Sequence, residues 1–148
     1  MQADIVITTE SGEPVLVVEV KNRKSTTRAW AATFLQNLLA HRMMPSARYF
    51  LVATPDHLYL WKGITVDREI AKPDYEARSG SLIAVDRNGG GVGLGARGFE
   101  SKVANWLAGL SEGRVTQKID DKQVDEFLVQ SGLLDAIRGG RIVLEAAA

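Results

Sequence analysis

Residues 3–24 read ADIVITTESGEPVLVVEVKNRK, and this stretch decides the fold. Two runs rich in Val and Ile flank the turn-forming residues 10–14, which is the pattern of a β-hairpin. A turn centred on the Ser-Gly pair sets Asp4 opposite Glu19. Directly opposed residues share one face of a sheet, with Cβ atoms about 4.5–5.5 Å apart. Strand alternation predicts that Lys21 lies on that same face.

Asp4 and Glu19 would then form a carboxylate pair beside an amine. Two carboxylates at this distance repel each other, so the pair calls for a proton or a cation between its members. Oxygen ligands on a rigid strand suit Mg²⁺, which commonly takes one or two carboxylates and leaves its other positions to water and substrate phosphate. The hairpin therefore predicts a cation site at the end of its strands.

Asp4, followed by Glu19-Val20-Lys21 at the end of an apolar strand, resembles the PD-(D/E)xK signature of the restriction-endonuclease-like nuclease superfamily. Within this superfamily, residues 3–63 resemble the nuclease domains at the N-terminus of type I restriction R subunits. The resemblance implies a restriction-endonuclease-like core and a magnesium-dependent hydrolase that cuts DNA phosphodiester bonds. It also implies a role in restriction or defence.

The resemblance further implies how the site residues share the work. Asp4, Glu19 and the Val20 carbonyl would hold Mg²⁺ or Mn²⁺, and Lys21 would orient or deprotonate a water and offset charge in the transition state. Gln36, on the following helix, would touch the lysine or the DNA backbone. Two plainer alternatives stay open: an ordinary Glu19–Lys21 ion pair on a surface hairpin, worth little, and a solvent-facing Gln36.

A basic run follows the predicted site. It consists of the amide Asn22 and the basic residues Arg23, Lys24 and Arg28. Such residues would give salt-dependent, sequence-independent contacts to phosphate. The resemblance implies DNA rather than RNA as the nucleic acid. A solvated loop explains the same residues without nucleic acid, but their place beside Lys21 favours phosphate binding.

The sequence departs from the family pattern at its start. Members usually have a helix and a strand before the Asp, whereas three residues precede Asp4, and Ala3 replaces the usual Pro. The missing pieces would be absent, supplied by a partner chain, or replaced by the C-terminal helices. A first strand at a chain terminus is an exposed edge, which favours a homodimer or larger assembly. The alternative function is an inactive nuclease-like module that binds nucleic acid or a protein partner.

The rest of the chain predicts a mixed α/β sheet flanked by helices, with a parallel pairing between the hairpin and the strand after the first helix. The predicted strands are 4–9, 15–21, 47–54, 57–62, 81–85 and 141–144, and the predicted helices are 28–43, a second from Phe99 to near Gly113, and a third from Asp120 or Asp121 to Gly132. Residues 63–80 read as a polar connection. The domain boundaries we predict are a nuclease-like core over 1–85, a mobile glycine-rich linker over 86–98, and a C-terminal helical extension over 99–148 that packs on the core.

The composition is that of an ordinary globular protein. The 148 residues carry 18 basic and 18 acidic side chains, so no net charge draws the chain to nucleic acid and any attraction must be local. The chain has no Cys, which removes disulfides and thiol nucleophiles. We find no signal peptide and no apolar run near the ~18 residues of a membrane span, so we expect a cytoplasmic protein without a membrane partner.

Overall fold

The structure is a computed structural model that describes residues 3–41, 46–63, 72–83, 95–113 and 122–144. The strands are β1 (Ile5–Thr8), β2 (Pro14–Val20), β3 (Tyr49–Ala53), β4 (His57–Lys62), β5 (Tyr75–Arg78) and β6 (Arg141–Leu144). The helices are α1 (Arg28–His41), α2 (Ser79–Leu82), α3 (Gly95–Ser111), α4 (Lys122–Asp125), which continues into a π-helical turn (Glu126–Gln130), and α5 (Leu133–Ile137). In these ranges no helix is long and apolar enough to cross a membrane.

The six strands form one mixed sheet in the order β5-β4-β3-β2-β1-β6. β2 and β3 pair in parallel, as predicted for two strands joined through a helix, and the other neighbours are antiparallel. β6 pairs with β1 along its whole length. β1 is therefore an inner strand rather than the exposed edge that the sequence predicts, and its backbone needs no partner chain for its hydrogen bonds.

The hairpin has the predicted register along its strands. The pairs are Ile5 with Val18, Val6 with Val17, and Ile7 with Leu16, so one more step sets Asp4 opposite Glu19. Near the turn the pairing shifts: Thr8 faces Pro14, and Val15 is left as the extra residue of a β-bulge. The turn itself closes with the Thr9 amide donating to the Glu13 carbonyl at 2.8 Å.

The sheet carries a different apolar core on each face. α1 covers one face, where it buries Ala31, Leu35 and Leu38 against a cluster from the sheet, namely Val6, Val17, Phe50, Val52, Tyr59 and Trp61. The C-terminal helices cover the other face, where the buried residues include Ile5, Ile7, Leu16, Val18, Leu51, Val103, Leu107, Phe127 and Leu133. The result is a three-layer α/β/α arrangement.

Several predicted boundaries are wrong. The predicted strand 81–85 overlaps the short helix α2, and β5 lies inside the predicted connection 63–80. α3 begins at Gly95, so residues 95–98 of the predicted linker are helical. α5 was not predicted, and the third predicted helix includes the π-helical turn. Residues 42–43 of the first predicted helix, 84–85 of the predicted strand and 86–94 of the predicted linker lie outside the described ranges.

Candidate active site

The carboxylate pair forms where β1 begins and β2 ends. Glu19 is only 2% exposed, and alternation from Val17 places it on the α1 face. Asp4 is half-buried and lies immediately before the first residue of β1. Glu19 also pairs with Val52 of β3, so the acidic side chain is enclosed between the two neighbouring strands. Burying a carboxylate is costly unless a proton or positive charge compensates it, which marks this position as unusual for a plain strand.

The backbone of β2 holds the Asp4 carboxylate in place. The Val20 amide donates a 2.8 Å hydrogen bond to Asp4 Oδ2. The Lys21 amide donates in the other direction, to the Ala53 carbonyl of β3. Because successive backbone groups of a strand point to alternate neighbours, the Val20 carbonyl is directed toward the β1 side, where Asp4 lies. The three predicted metal ligands therefore lie within one strand end.

The side chain of the predicted catalytic lysine, which directly follows β2, packs against α1. Lys21 is exposed, and its Nζ lies 5.3 Å from the centroid of the Phe34 ring. Since α1 covers the face that carries Glu19, the side chains of residues 19 and 21 share one face of the sheet, as alternation predicts. The amine therefore lies on the α1 face of the sheet, which also carries Glu19, and Lys21 is exposed whereas Glu19 is buried.

Gln36 lies on a different side of α1 from Phe34. It is exposed on α1, and two helical residues correspond to a turn of about 200° from Phe34. The α1 side chain that contacts Lys21 is Phe34, an aromatic residue to which the sequence gave no functional signal beyond its apolar spacing. Gln36 as a site residue stays a prediction.

The basic run forms the loop between β2 and α1. Asn22, Arg23, Lys24 and Arg28 are all exposed. The Arg23 guanidinium carbon lies 5.5 Å from the centroid of the Trp30 ring. Arg28 is directed away from the loop, because one of its Nη atoms donates to the Pro73 carbonyl at 2.7 Å. The side chains of Lys21 and Arg23 therefore both pack against aromatic residues of α1. Arg28 instead lines an open groove beside β5.

Buried hydroxyls anchor this loop to the sheet. Thr26 Oγ1 lies 2.8 Å from the Tyr59 hydroxyl and 3.2 Å from Thr54 Oγ1. The Ser25 amide donates to the Asp56 carboxylate at 2.7 Å, and Ser25 adopts a left-handed conformation with φ 59°. Such a conformation is uncommon outside glycine and persists where the surroundings fix it. The loop that carries the cations is therefore anchored to the sheet at its α1 end.

Tyr59 is fully buried at the centre of this anchor. Burial raises the pKa of its hydroxyl above the ordinary value of 10.0, the hydrogen bond with Thr26 opposes that rise, and the Glu76 and Asp56 carboxylates add to it. The hydroxyl is consequently neutral at physiological pH and can both donate and accept a hydrogen bond.

The acidic groups of the described ranges do not gather into a larger cluster. Within those ranges no three His, Asp or Glu side chains come together as a metal-binding group. The register of the hairpin sets Asp4 opposite Glu19, and the Val20 amide donates to the Asp4 carboxylate. The two histidines, His41 and His57, lie at the end of α1 and the start of β4, as expected for structural positions.

No family model, curated protein or solved structure matches this chain. The fold and the site define its class: an α/β protein with a six-stranded mixed sheet between helical layers, and a buried glutamate beside a half-buried aspartate at one strand end.

Proposed function

We propose that the protein is a metal-dependent nuclease that hydrolyses DNA phosphodiester bonds. The observation that carries the proposal is the register of the hairpin, which sets Asp4 opposite the buried Glu19 with Lys21 on the same face. A carboxylate pair next to an amine is the arrangement that metal-assisted hydrolysis of a phosphodiester requires. A cytoplasmic restriction or defence role is part of the proposal.

The topology supports a restriction-endonuclease-like core. An antiparallel hairpin, a helix and a strand parallel to the second hairpin strand follow one another in the order that the resemblance implies. Members of that superfamily usually place a strand before the Asp. In this chain β6, from the C-terminal segment, pairs with β1 on its outer side. We propose that β6 occupies the position of that strand in this sheet.

The oxygen atoms at the strand end fit a hard divalent cation. Mg²⁺ commonly binds proteins through one or two carboxylates and keeps water and phosphate on its remaining positions. Asp4, Glu19 and the Val20 carbonyl supply that number of ligands without His or Cys. When bound, Mg²⁺ or Mn²⁺ would polarise the phosphate and lower the pKa of a bound water.

The side chains around the pair have separate roles in the proposal. Lys21 orients the attacking water and offsets negative charge as it develops on the phosphate. Arg23 and Lys24, with Asn22 beside them, bind the DNA backbone, while Arg28 contributes at the edge of the loop. These contacts are to phosphate, so the proposal assigns the protein no base sequence.

Cleavage of supercoiled plasmid by the purified protein tests the proposal directly. We expect nicking with Mg²⁺ or Mn²⁺ and none with EDTA. Asp4→Asn should abolish it, and Lys21→Ala should lower the rate by at least about 100-fold, because positioned proton transfer contributes about 10²–10⁴. Glu13→Gln is the matched control, since Glu13 is an exposed carboxylate at the far end of the same strands. Metal-independent nicking, or equal activity in Asp4→Asn, would refute the assignment.

DNA binding in EDTA tests the basic loop separately from cleavage. Replacing Arg23 and Lys24 with Ala should reduce the slope of log K against log salt by about 2, because each duplex phosphate contact contributes about 0.9. Lys62→Ala is the control, because Lys62 is an exposed cation at the far end of β4. An unchanged slope would show that the loop is only solvated.

One observation favours a second candidate, a nuclease-like module that binds nucleic acid or a protein without cutting. The Asp4 carboxylate already accepts a hydrogen bond from the Val20 amide, which would hold it in place without a cation. Salt-dependent DNA binding by a folded protein that does not cleave with either metal would support this candidate. A homodimer remains part of either proposal, and sedimentation of the free and DNA-bound protein measures it.

A further inference from the structure

The aromatic residues of α1 form a stacked pair beside the candidate site. Trp30 and Phe34 are four residues apart, so they lie on the same side of the helix. Their ring centroids are 5.2 Å apart and the ring planes differ by 11°. Both side chains are half-buried against the α1 core, so each ring is fixed along one edge and open to the loop on the other.

Each ring carries one cation from the loop after β2. Lys21 Nζ lies 5.3 Å from the Phe34 centroid, and the Arg23 guanidinium carbon lies 5.5 Å from the Trp30 centroid. Both distances fall within the roughly 6 Å at which a cation is attracted to the face of an aromatic ring. Lys21 and Arg23, two residues apart in sequence, thus each lie over one of two rings that are one helical turn apart on α1.

The backbone that carries the cations is also fixed. The Arg23 amide donates to the Lys21 carbonyl at 2.9 Å, which folds the loop back on itself. On the α1 side, Thr26 is buried in its contact with the Tyr59 hydroxyl. A long lysine or arginine side chain loses rotamer entropy when it is ordered. Anchoring the loop and providing a ring for each cation lowers that cost before a substrate arrives.

We propose that Phe34 and Trp30 are positioning residues, which hold the Lys21 ammonium beside the carboxylate pair and the Arg23 guanidinium ready for the next phosphate of the strand. This inference rests on the proposed function for the identity of the substrate, a nucleic acid backbone. It assigns a role on α1 to the aromatic pair, while the exposed Gln36 is on the other side of the helix.

Nuclear magnetic resonance tests the placement without any need for activity. The lysines are ¹³C-methylated, and the Lys21 signal is assigned by its loss in Lys21→Arg. We expect this signal to be shifted upfield of the Lys62 signal by the Phe34 ring current. Phe34→Leu should remove the shift, Phe34→Tyr should retain it, and Leu39→Ala, five residues along the same helix, should leave it unchanged. A Lys21 signal at the Lys62 position in the wild-type protein would overturn the inference.

Steady-state kinetics of DNA cleavage then distinguish the role of Lys21 from that of Arg23. Phe34→Leu should lower kcat about two- to fivefold with little change in KM, and Phe34→Tyr should restore it, because the cation–π contact of an exposed cation, about 0.5–1 kcal/mol, is lost and regained. Trp30→Leu should instead raise the KM for DNA with kcat retained. Equal kcat for Phe34→Leu and wild type would overturn the positioning role while leaving the nuclease in place. If the wild type does not cleave, the proposed function fails and the ring-current shift alone decides the inference.

Discussion

The sharpest test of the carboxylate pair is the stability of Asp4→Asn with and without Mg²⁺. If both carboxylates are ionised in the absence of a cation and lie at the cross-strand spacing of about 5 Å, they repel each other by about 3 kcal/mol at an effective dielectric constant of 20. Asp4 is half-exposed, so water screens a large part of that energy. We therefore expect the neutral variant to be more stable than the wild type in EDTA by about 1 kcal/mol. An asparagine oxygen can still accept the hydrogen bond from the Val20 amide.

Mg²⁺ should reverse the order of the two proteins. A ligand at ten times its dissociation constant stabilises the folded state by about 1.4 kcal/mol. The wild type should gain that amount, and Asp4→Asn, which has lost one of two carboxylates, should gain little. The wild type then becomes the more stable protein, and the sign of the difference in unfolding free energy changes with the cation.

Urea unfolding in EDTA and in Mg²⁺ measures this crossover, and constant m-values would show that the midpoints report stability. Glu13→Gln should follow the wild type in both buffers, because its carboxylate lies at the hairpin turn. Two results would refute the reasoning: equal stability of wild type and Asp4→Asn in EDTA, and an equal response of both proteins to Mg²⁺. Either would mean that the two carboxylates do not share one site.

Two further predictions concern the scaffold of the site. Tyr59→Phe should lower the unfolding free energy by about 1 kcal/mol through loss of the hydrogen bond with Thr26. Folding raises the pKa of Tyr59, so its contribution to the unfolding free energy is fully present below pH 10.0 and is lost as the pH rises from 10.0 toward the folded-state pKa. Tyr59→Phe should therefore lose less stability than the wild type above pH 10.0 in urea unfolding. An equally steep loss in both proteins would contradict this. Gly140→Ala should destabilise by about 1–3 kcal/mol, because its Cβ would lie 2.7 Å from Ile7 Cγ2 and 3.0 Å from two carbonyl oxygens. If Gly140→Ala unfolds at the same urea concentration as the wild type, β6 does not pack against β1 in this way.

The sequence predicts the local part of the site well. The sequence pattern predicts which strands pair and the opposition of Asp4 and Glu19, whereas the pairing next to the turn differs from the prediction, because Thr8 faces Pro14 and Val15 forms a bulge. The apolar spacing of α1 predicts the helix, and the crossover rule predicts the parallel pairing of β2 with β3. All these features depend on residues close together in the chain or on one general rule of chain connection.

Other features depend on contacts between distant segments. The pairing of β6 with β1 joins residues more than 130 positions apart, and four residues with mixed exposure give no signal of which strand they will join. The contact of Lys21 with Phe34 depends on how the loop returns over α1. β5 has a short alternating pattern, but its neighbours in the chain read as a polar connection. Tertiary packing decides each of these cases.

The bulge at Val15 explains how the turn and the site can coexist in one hairpin. The turn pairs Thr8 with Pro14, and if that register continued, Asp4 would face Val18 and lie on the opposite face from Glu19. The extra residue on β2 restores the register that brings the carboxylates together.

Deleting Val15 would join Pro14 directly to Leu16, so the same turn could continue into the same strand pairing without a bulge. We expect this variant to lose about 1.5–3 kcal/mol of stability from the missing buried side chain, yet to keep the full stabilisation by Mg²⁺. If the deletion abolishes the Mg²⁺ effect in a folded protein, then the bulge itself, and not the strand register, holds the two carboxylates together.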